Sequence, residues 1–221
     1  MSSIALLDFD KTIISHDTGY HFILFSLKKS FLRKGFALLF SPLALILFLS
    51  SKTRFIGNSI YLWLATAGLS SRQLRELRAE FVEHYLHFPE VSIYKDALMR
   101  IKEHVNQGHK VVIVSGASQW MLDAIVERTE LPELIALRSS EVRLLGGMVS
   151  SFHCFGQNKL KRLNKVINFQ SYSWVVGYSD SSSDIPLLSV CQTKYIVNPN
   201  KRSLSNFKRA FNNDIQVLNW G

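Results

Sequence analysis

The sequence predicts an α/β protein: a parallel sheet with helices on both faces, interrupted after its first strand by a long helical insertion. Three observations carry this. The runs IALLDF (4–9) and KVVIVSG (110–116) are short, nearly uninterrupted apolar segments of the kind buried on both faces of a sheet. From residue 110 onward, strand-like and helix-like segments alternate, which argues for a parallel sheet with crossover helices. The stretch from about 13 to 90 carries no such alternation and reads as helical throughout.

Taken in order, Ile4–Phe9 is a buried strand. In the helical stretch, Pro42 and the Gly68 region are the expected breaks. SSRQLRELRAEFVEHYL, from Ser70, places Leu74, Leu77, Phe81 and Val82 at helical spacing behind capping serines. An amphipathic helix over 95–107 closes at Gly108. The strand 110–116 follows, then a helix from Gln119 to Arg128. Gly146-Gly147 marks a hairpin turn within 135–155. A helix over 158–168 precedes the strand YSWVVGYSD (172–180). Pro186 opens a short helical turn after Asp184, and the strand KYIV and a basic helix near 202–211 complete the series.

The 221 residues suit one α/β domain with a sizeable insertion. With 26 Lys and Arg against 17 Asp and Glu, the net charge of +9 favours anionic partners: nucleic acid, anionic lipid or a phosphorylated substrate. The basic residues are dispersed, and there is no zinc finger, RNA-binding signature or basic arm, so no nucleic-acid partner is expected. Cys154 and Cys191 are expected to be reduced thiols in a cytosolic domain. The opening MSSIALLDFD lacks a basic n-region and is not expected to act as a signal peptide.

In an open parallel sheet, ligands gather beyond the carboxyl ends of the strands. Here those ends carry Asp8 and Asp10 in DFDKT, Ser115 and Gly116 in VSG, and Asp180 and Asp184 in GYSDSSSD; Lys159 follows the hairpin. Asp8 and Asp10 alternate along an extended chain, so both side chains point to one side. Joined by Asp180 from a neighbouring strand, they make a strongly negative spot that suits an all-oxygen cation such as Mg²⁺. Ser115 and Lys159 supply donors and positive charge for a phosphate. A carboxylate can attack phosphorus, and a second acid can protonate the leaving alcohol and then activate water. Taken singly, each residue has a plainer reading: Asp184 as a helix N-cap, Lys159 as a solvated helix residue.

Together, DFDKT, Ser115 in VVIVSG, Lys159 and GYSDSSSD resemble the four motifs of the haloacid dehalogenase superfamily, across essentially the whole chain. The resemblance implies a Rossmann-like three-layer α/β/α core and Mg²⁺, with Asp8 as nucleophile and Asp10 as general acid/base. It implies metal ligation by Asp8, the backbone carbonyl of Asp10 and Asp180, with Asp184 as a further acidic residue of the metal site. Thr12, Ser115, Gly116 and Lys159 would hold the phosphate. The insertion looks like a type 1 cap, as in the phosphoserine-phosphatase-like subfamily IB. The implied division is a core of 1–12 and 91–221 and a helical cap over 13–90. The second aspartate points to a phosphatase. Asp17 stands where that branch has a glutamate; it either faces substrate or caps the first cap helix.

The segment FLRKGFALLFSPLALILFLSSKTR (31–54) holds 17 uncharged residues between Lys34 and Lys52. That is close to the lower limit for crossing a bilayer. Lys28, Lys29, Arg33, Lys34, Lys52 and Arg54 flank it with the charge that favours an anionic membrane surface. Asp8 precedes the segment while Ser115, Lys159 and Asp180 follow it, so one complete crossing would split the site. The expectation is a monotopic or re-entrant hairpin over about 35–69 at the cytoplasmic membrane face, with IYLWLATAGL (60–69) as the returning limb. The alternative is a buried cap helix in a cytoplasmic protein. With this insert, HCFGQNKLKRL and GYSDSSSDIPLL, the chain resembles the phosphatidylglycerophosphatase C group. That implies a lipid-linked phosphomonoester; the alternative is a small soluble one. Oligomeric state is left open.

Overall fold

A computed structural model describes residues 2–50, 53–131 and 134–221. Seven strands form one sheet: β1 (Ser3–Leu7), β2 (Lys110–Ser118), β3 (Ile135–Leu144), β4 (Gly147–Phe152), β5 (Trp174–Ser179), β6 (Thr193–Val197) and β7 (Gln216–Leu218), in the order β4-β3-β2-β1-β5-β6-β7. All neighbours are parallel except β3 and β4, which form the hairpin expected at Gly146-Gly147. Leu145 and Gly146 turn that hairpin with φ of 45° and 80°, the backbone region a tight two-residue turn needs.

The apolar runs are continuous because both faces of the sheet are covered. Ala5 and Leu7 pack on one side with Val111, Ile113, Val176 and Tyr178. Ile4 and Leu6 pack on the other with Val112, Val114, Val175 and Ile196. Helices α5 (Lys95–Asn106) and α6 (Gln119–Val126) contribute Ile101, Leu122 and Ile125 to the first layer. Helices α7 (Gln157–Leu163), α8 (Ile185–Leu188) and α9 (Lys201–Ala210) contribute Leu163, Leu187, Leu188 and Phe207 to the second. Each fully buried aliphatic side chain is worth roughly 1.5–3 kcal/mol over exposure. The predicted α/β/α layering is therefore the observed one.

The helical stretch comprises α1 (Thr18–Lys28), α2 (Phe31–Phe48), α3 (Arg54–Thr66) and α4 (Ser71–Leu86). It starts at Thr18 rather than near residue 13, because residues 11–17 form turns and isolated bridges between Asp10 and Ile14 and between Ile14 and Ile93. Gly68 breaks the chain as expected, with φ of 76°. Pro42 does not: α2 runs through it. Proline removes the donor that would meet the Leu38 carbonyl, but Leu38 is 66% exposed, so that carbonyl is not trapped in a dry core. Helix α7 ends at Leu163, short of 168, and the edge strand β7 has too few residues to show a pattern.

The apolar segment is not a buried cap helix. Of α2's residues only Ala37 and Ala44 are buried, while Phe31, Leu32, Leu38, Leu39, Leu45 and Ile46 are exposed. Helix α3 returns beside α2, and a Cβ on Gly57 would stand 3.1 Å from the Phe48 ring. Yet α3 is not an apolar limb facing outward. Leu62, Leu64, Ala65 and Thr66 are buried, the Trp63 indole N–H donates to Leu144 O at the end of β3 at 2.9 Å, and the Tyr61 hydroxyl bonds Ser41 in the middle of α2. The flanking Lys52 lies outside the described residues.

Candidate active site

Strand β1 sits between β2 and β5 with Leu7 level with both Ile113 and Tyr178, so three chemistry-bearing strand ends meet. Asp8 continues the ladder by donating its N–H to Tyr178 O at 3.0 Å, and its Oδ1 accepts the Phe9 N–H at 2.8 Å. Lys159 projects from α7 to place Nζ 2.7 Å from Asp8 Oδ1 and 2.7 Å from Asp184 Oδ2. It is 2% exposed, so it is no solvated helix lysine. Ser179 Oγ donates to the same Asp184 oxygen at 2.8 Å. Asp184 stands at the N-cap position of α8, yet its side chain makes no capping bond.

Thr12 ties the loop after β1 to the loop after β5. Its Oγ1 accepts the Asp180 N–H at 3.0 Å and lies 3.3 Å from Asp180 Oδ1. Lys11, with φ of 59°, occupies the left-handed region that lets this loop turn back sharply. Ser115 is buried, and its Oγ accepts the Ala117 N–H at 2.9 Å, leaving the hydroxyl proton free to be donated. Gly116 lies beside it in β2, next to Cys154 O and His153 Nε2. Asp10 Oδ1 accepts the Thr18 N–H at 2.9 Å at the start of α1. Asp17 is the N-cap of that helix, accepting the Tyr20 N–H at 2.8 Å.

Two carboxylates, Asp8 and Asp184, share the Lys159 ammonium, while Asp180 stands close enough to feel both Lys159 and Lys11. Burial works against that ammonium, but Asp184 and Asp8 outweigh it and hold its pKa above the usual lysine range. The acids bear the cost. Burial pushes Asp8 well up, with Asp184 and Asp180 adding to the rise against the pull of Lys159. Burial and then Asp184 push Asp180 up to about 6. Burial and then Asp17 push Asp10 up to about 7, against the Thr18 N–H.

That surplus negative charge fits a hard cation. Asp184 Oδ1 is moreover a buried oxygen without a hydrogen-bond partner among the described residues. Among those residues, no three His, Cys, Asp or Glu side chains form a ready-made cage. The set implied by the resemblance asks for two side chains, Asp8 and Asp180, and one backbone carbonyl, that of Asp10, so the donors present fit it.

Sequence reasoning missed His153 and Arg54 as neighbours of this site. The signal was adjacency: His153 precedes Lys159 in the same short segment, and Arg54 opens the helix that follows the apolar run.

The fold and these side chains define a class: hydrolases with an α/β/α core that carry their acids at the end of the central strand of a mostly parallel sheet. The chain belongs to the haloacid dehalogenase-like hydrolase family, whose model matches residues 5–189. A probable phosphatase of Mycobacterium tuberculosis is 26% identical over 208 residues, covering 89% of this chain and 69% of the relative. Among solved structures, a protein of unknown function from Bordetella pertussis Tohama I superposes with a TM-score of 0.78 at 18% identity, over 99% of this chain and 98% of that one. A phospho-aspartyl intermediate analogue of phosphoserine phosphatase superposes with a TM-score of 0.63 at 16% identity, over 98% and 93%. At these identities the two structures share the fold with this chain.

Proposed function

We propose that this hydrolase is an Mg²⁺-dependent phosphomonoesterase acting on a lipid-linked phosphate, with phosphatidylglycerophosphate as the substrate its sequence resemblance favours. Asp8 attacks phosphorus, forming an aspartyl-phosphate as the ester P–O bond breaks. Asp10, whose pKa burial and Asp17 raise to about 7, can give a proton to the departing alkoxide and then take one from the water that cleaves the aspartyl-phosphate. Lys159 keeps Asp8 oriented and offers positive charge to the phosphoryl oxygens. Ser115 and Gly116 close the phosphate side, while Thr12 positions Asp180. Mg²⁺, held by Asp8, Asp180 and the Asp10 carbonyl with Asp184 behind them, supplies further charge neutralisation when bound.

The observation that carries the chemistry is Lys159 fixed between Asp8 and Asp184 beside Asp10. The lipid reading rests on α2, an 18-residue apolar helix whose outward face is uncovered and whose N-terminal end carries Arg33 and Lys34 after Lys28 and Lys29. In this reading α1–α4 act as a cap, and α2 lies in the cytoplasmic membrane interface and holds the site near the headgroup. A soluble phosphomonoester such as phosphoserine is the second reading, favoured by the likeness to phosphoserine phosphatase.

Turnover of phosphatidylglycerophosphate in mixed micelles, with the protein floating on anionic vesicles and Asp8→Asn inactive, is the expected outcome. Rapid turnover of phosphoserine with neither lipid hydrolysis nor flotation overturns the lipid assignment.

A further inference from the structure

Helix α3 runs along the β3–β4 hairpin in a fixed register. Thr66 Oγ1 accepts the Met148 N–H at 2.8 Å, and Ser59 Oγ accepts the Ser150 N–H at 3.3 Å. One further step brings the Arg54 guanidinium over the Phe155 ring, 5.7 Å from its centroid. As the α3 number falls, the partner number rises, so the helix and the β4 segment run in opposite directions. The apolar insertion thereby delivers a cation from its far end to the edge of the catalytic site.

Arg54 is exposed and has no carboxylate partner among the described residues. Beside it, the His153 and Phe155 rings stand 5.4 Å apart. His153 is largely buried, and no hydrogen bond engages its ring nitrogens among the described residues. Its main chain is held firmly: its carbonyl accepts the Phe155 N–H at 2.9 Å and the Asn158 amide at 3.1 Å. A Cβ on Gly116 would lie 3.7 Å from His153 Nε2, so the free imidazole edge borders the phosphate side of the site. Burial, then the charge of Lys159, lowers the imidazole's pKa; Asp17 opposes the fall and Arg54 adds to it. His153 is thus a neutral donor that feels charges on both sides.

We propose that Arg54 and His153 form a second anion subsite, which reads a phosphodiester in the leaving group of the substrate beside the phosphoryl group under attack. The inference rests on the lipid-phosphomonoesterase reading and deepens it by assigning recognition of that substrate's diester to two side chains, Arg54 and His153. A guanidinium is suited to such a group because its planar fork matches two phosphate oxygens, and an unpaired one is ready to bind. The neutral imidazole N–H adds a donor on the side of the reacting phosphate. Lys159, already shared by Asp8 and Asp184, is left to the phosphoryl group.

Calorimetry on Asp8→Asn, which binds without turnover, tests this with three soluble ligands. They are glycerol 3-phosphate, the same molecule carrying a methyl phosphodiester on its far hydroxyl, and phosphoserine. The diester is expected to bind about tenfold more tightly than glycerol 3-phosphate. Adding Arg54→Ala brings that ratio near one, Arg54→Lys keeps part of it, and His153→Gln lowers it. Equal affinities, a ratio that survives Arg54→Ala, or preference for phosphoserine over the diester overturns the subsite. Hydrolysis of p-nitrophenyl phosphate by the unmutated protein checks the underlying reading separately. If hydrolysis is absent but the Arg54-dependent preference holds, the phosphatase reading falls and the subsite stands.

Discussion

Lys159 Nζ lies 2.7 Å from oxygens of both Asp8 and Asp184, with all three groups withdrawn from solvent. Replacing it by methionine keeps the volume and removes the charge, leaving two buried carboxylates facing each other. Lys159→Met is expected to lose about 3–5 kcal/mol of unfolding free energy in urea, the usual cost of orphaning a buried charge. Hydrolysis of p-nitrophenyl phosphate should fall at least ~100-fold. An unchanged unfolding midpoint would show that Lys159 does not anchor these acids.

A cation that relieves the crowding of Asp8, Asp180 and Asp184 binds the folded state alone. Mg²⁺ at about one hundred times its dissociation constant should therefore add about 2.7 kcal/mol of stability. The melting temperature is expected to rise with Mg²⁺ in the unmutated protein and to rise little in Asp180→Asn. Equal rises in both would place the ion elsewhere.

His104 is buried on α5 between Tyr178, whose hydroxyl lies 2.8 Å from Nε2, and His109, whose Nδ1 lies 2.8 Å from His104 Nδ1. Burial, then the charges of His109 and Arg100, lowers its pKa from 6.5 to about 4. Between those values the unfolded imidazole holds a proton and the folded one does not. This group's contribution to stability is therefore constant above pH 7 and falls as pH drops from 6.5 toward 4. The raised carboxyls of the active site titrate with the opposite sign in the same window. The measurement is accordingly the difference in unfolding free energy between the unmutated protein and His104→Gln. That difference should shrink as pH falls; a flat one rejects the assignment.

Gly147 opens β4 directly beneath Trp63, and a Cβ there would come within 2.6 Å of the indole ring. Gly147→Ala should push α3 away from the hairpin at a cost of about 1–3 kcal/mol, read from thermal unfolding. Susceptibility to limited proteolysis between α2 and α3 should rise with it. A melting temperature equal to that of the unmutated protein would show that the ring moves aside without strain.

The chemical residues were readable because parallel strands end in chemistry. Asp8, Asp180 and Ser115 each follow or close an apolar run, and the short spacing from Asp8 to Asp10 and from Asp180 to Asp184 survives in any local geometry. The burial of Lys159 was not readable. Its helix is short and looks polar, and only the approach of two distant acids explains the missing solvent. The same applies to α3, whose apolar residues read equally well as a membrane limb until Leu144, Met148 and Ser150 supplied partners. Pro42 misled because propensity speaks for an isolated helix, while the carbonyl it frees here lies on an exposed face. β7, with three residues, is defined by pairing to β6 alone.

The stitching of α3 to β4 limits how substrate can arrive. Helices α1–α4, swinging as a body away from the sheet, would have to tear away three side-chain ties at once. They would also break the Arg78–Glu141 bridge from α4 to β3 at 2.7 Å. Under the lipid-substrate proposal, an esterified chain anchored in a bilayer would have no need of such a swing. It would slide in edgewise along the plane of the lipid, and the enzyme would keep its jaws shut to water through every turnover.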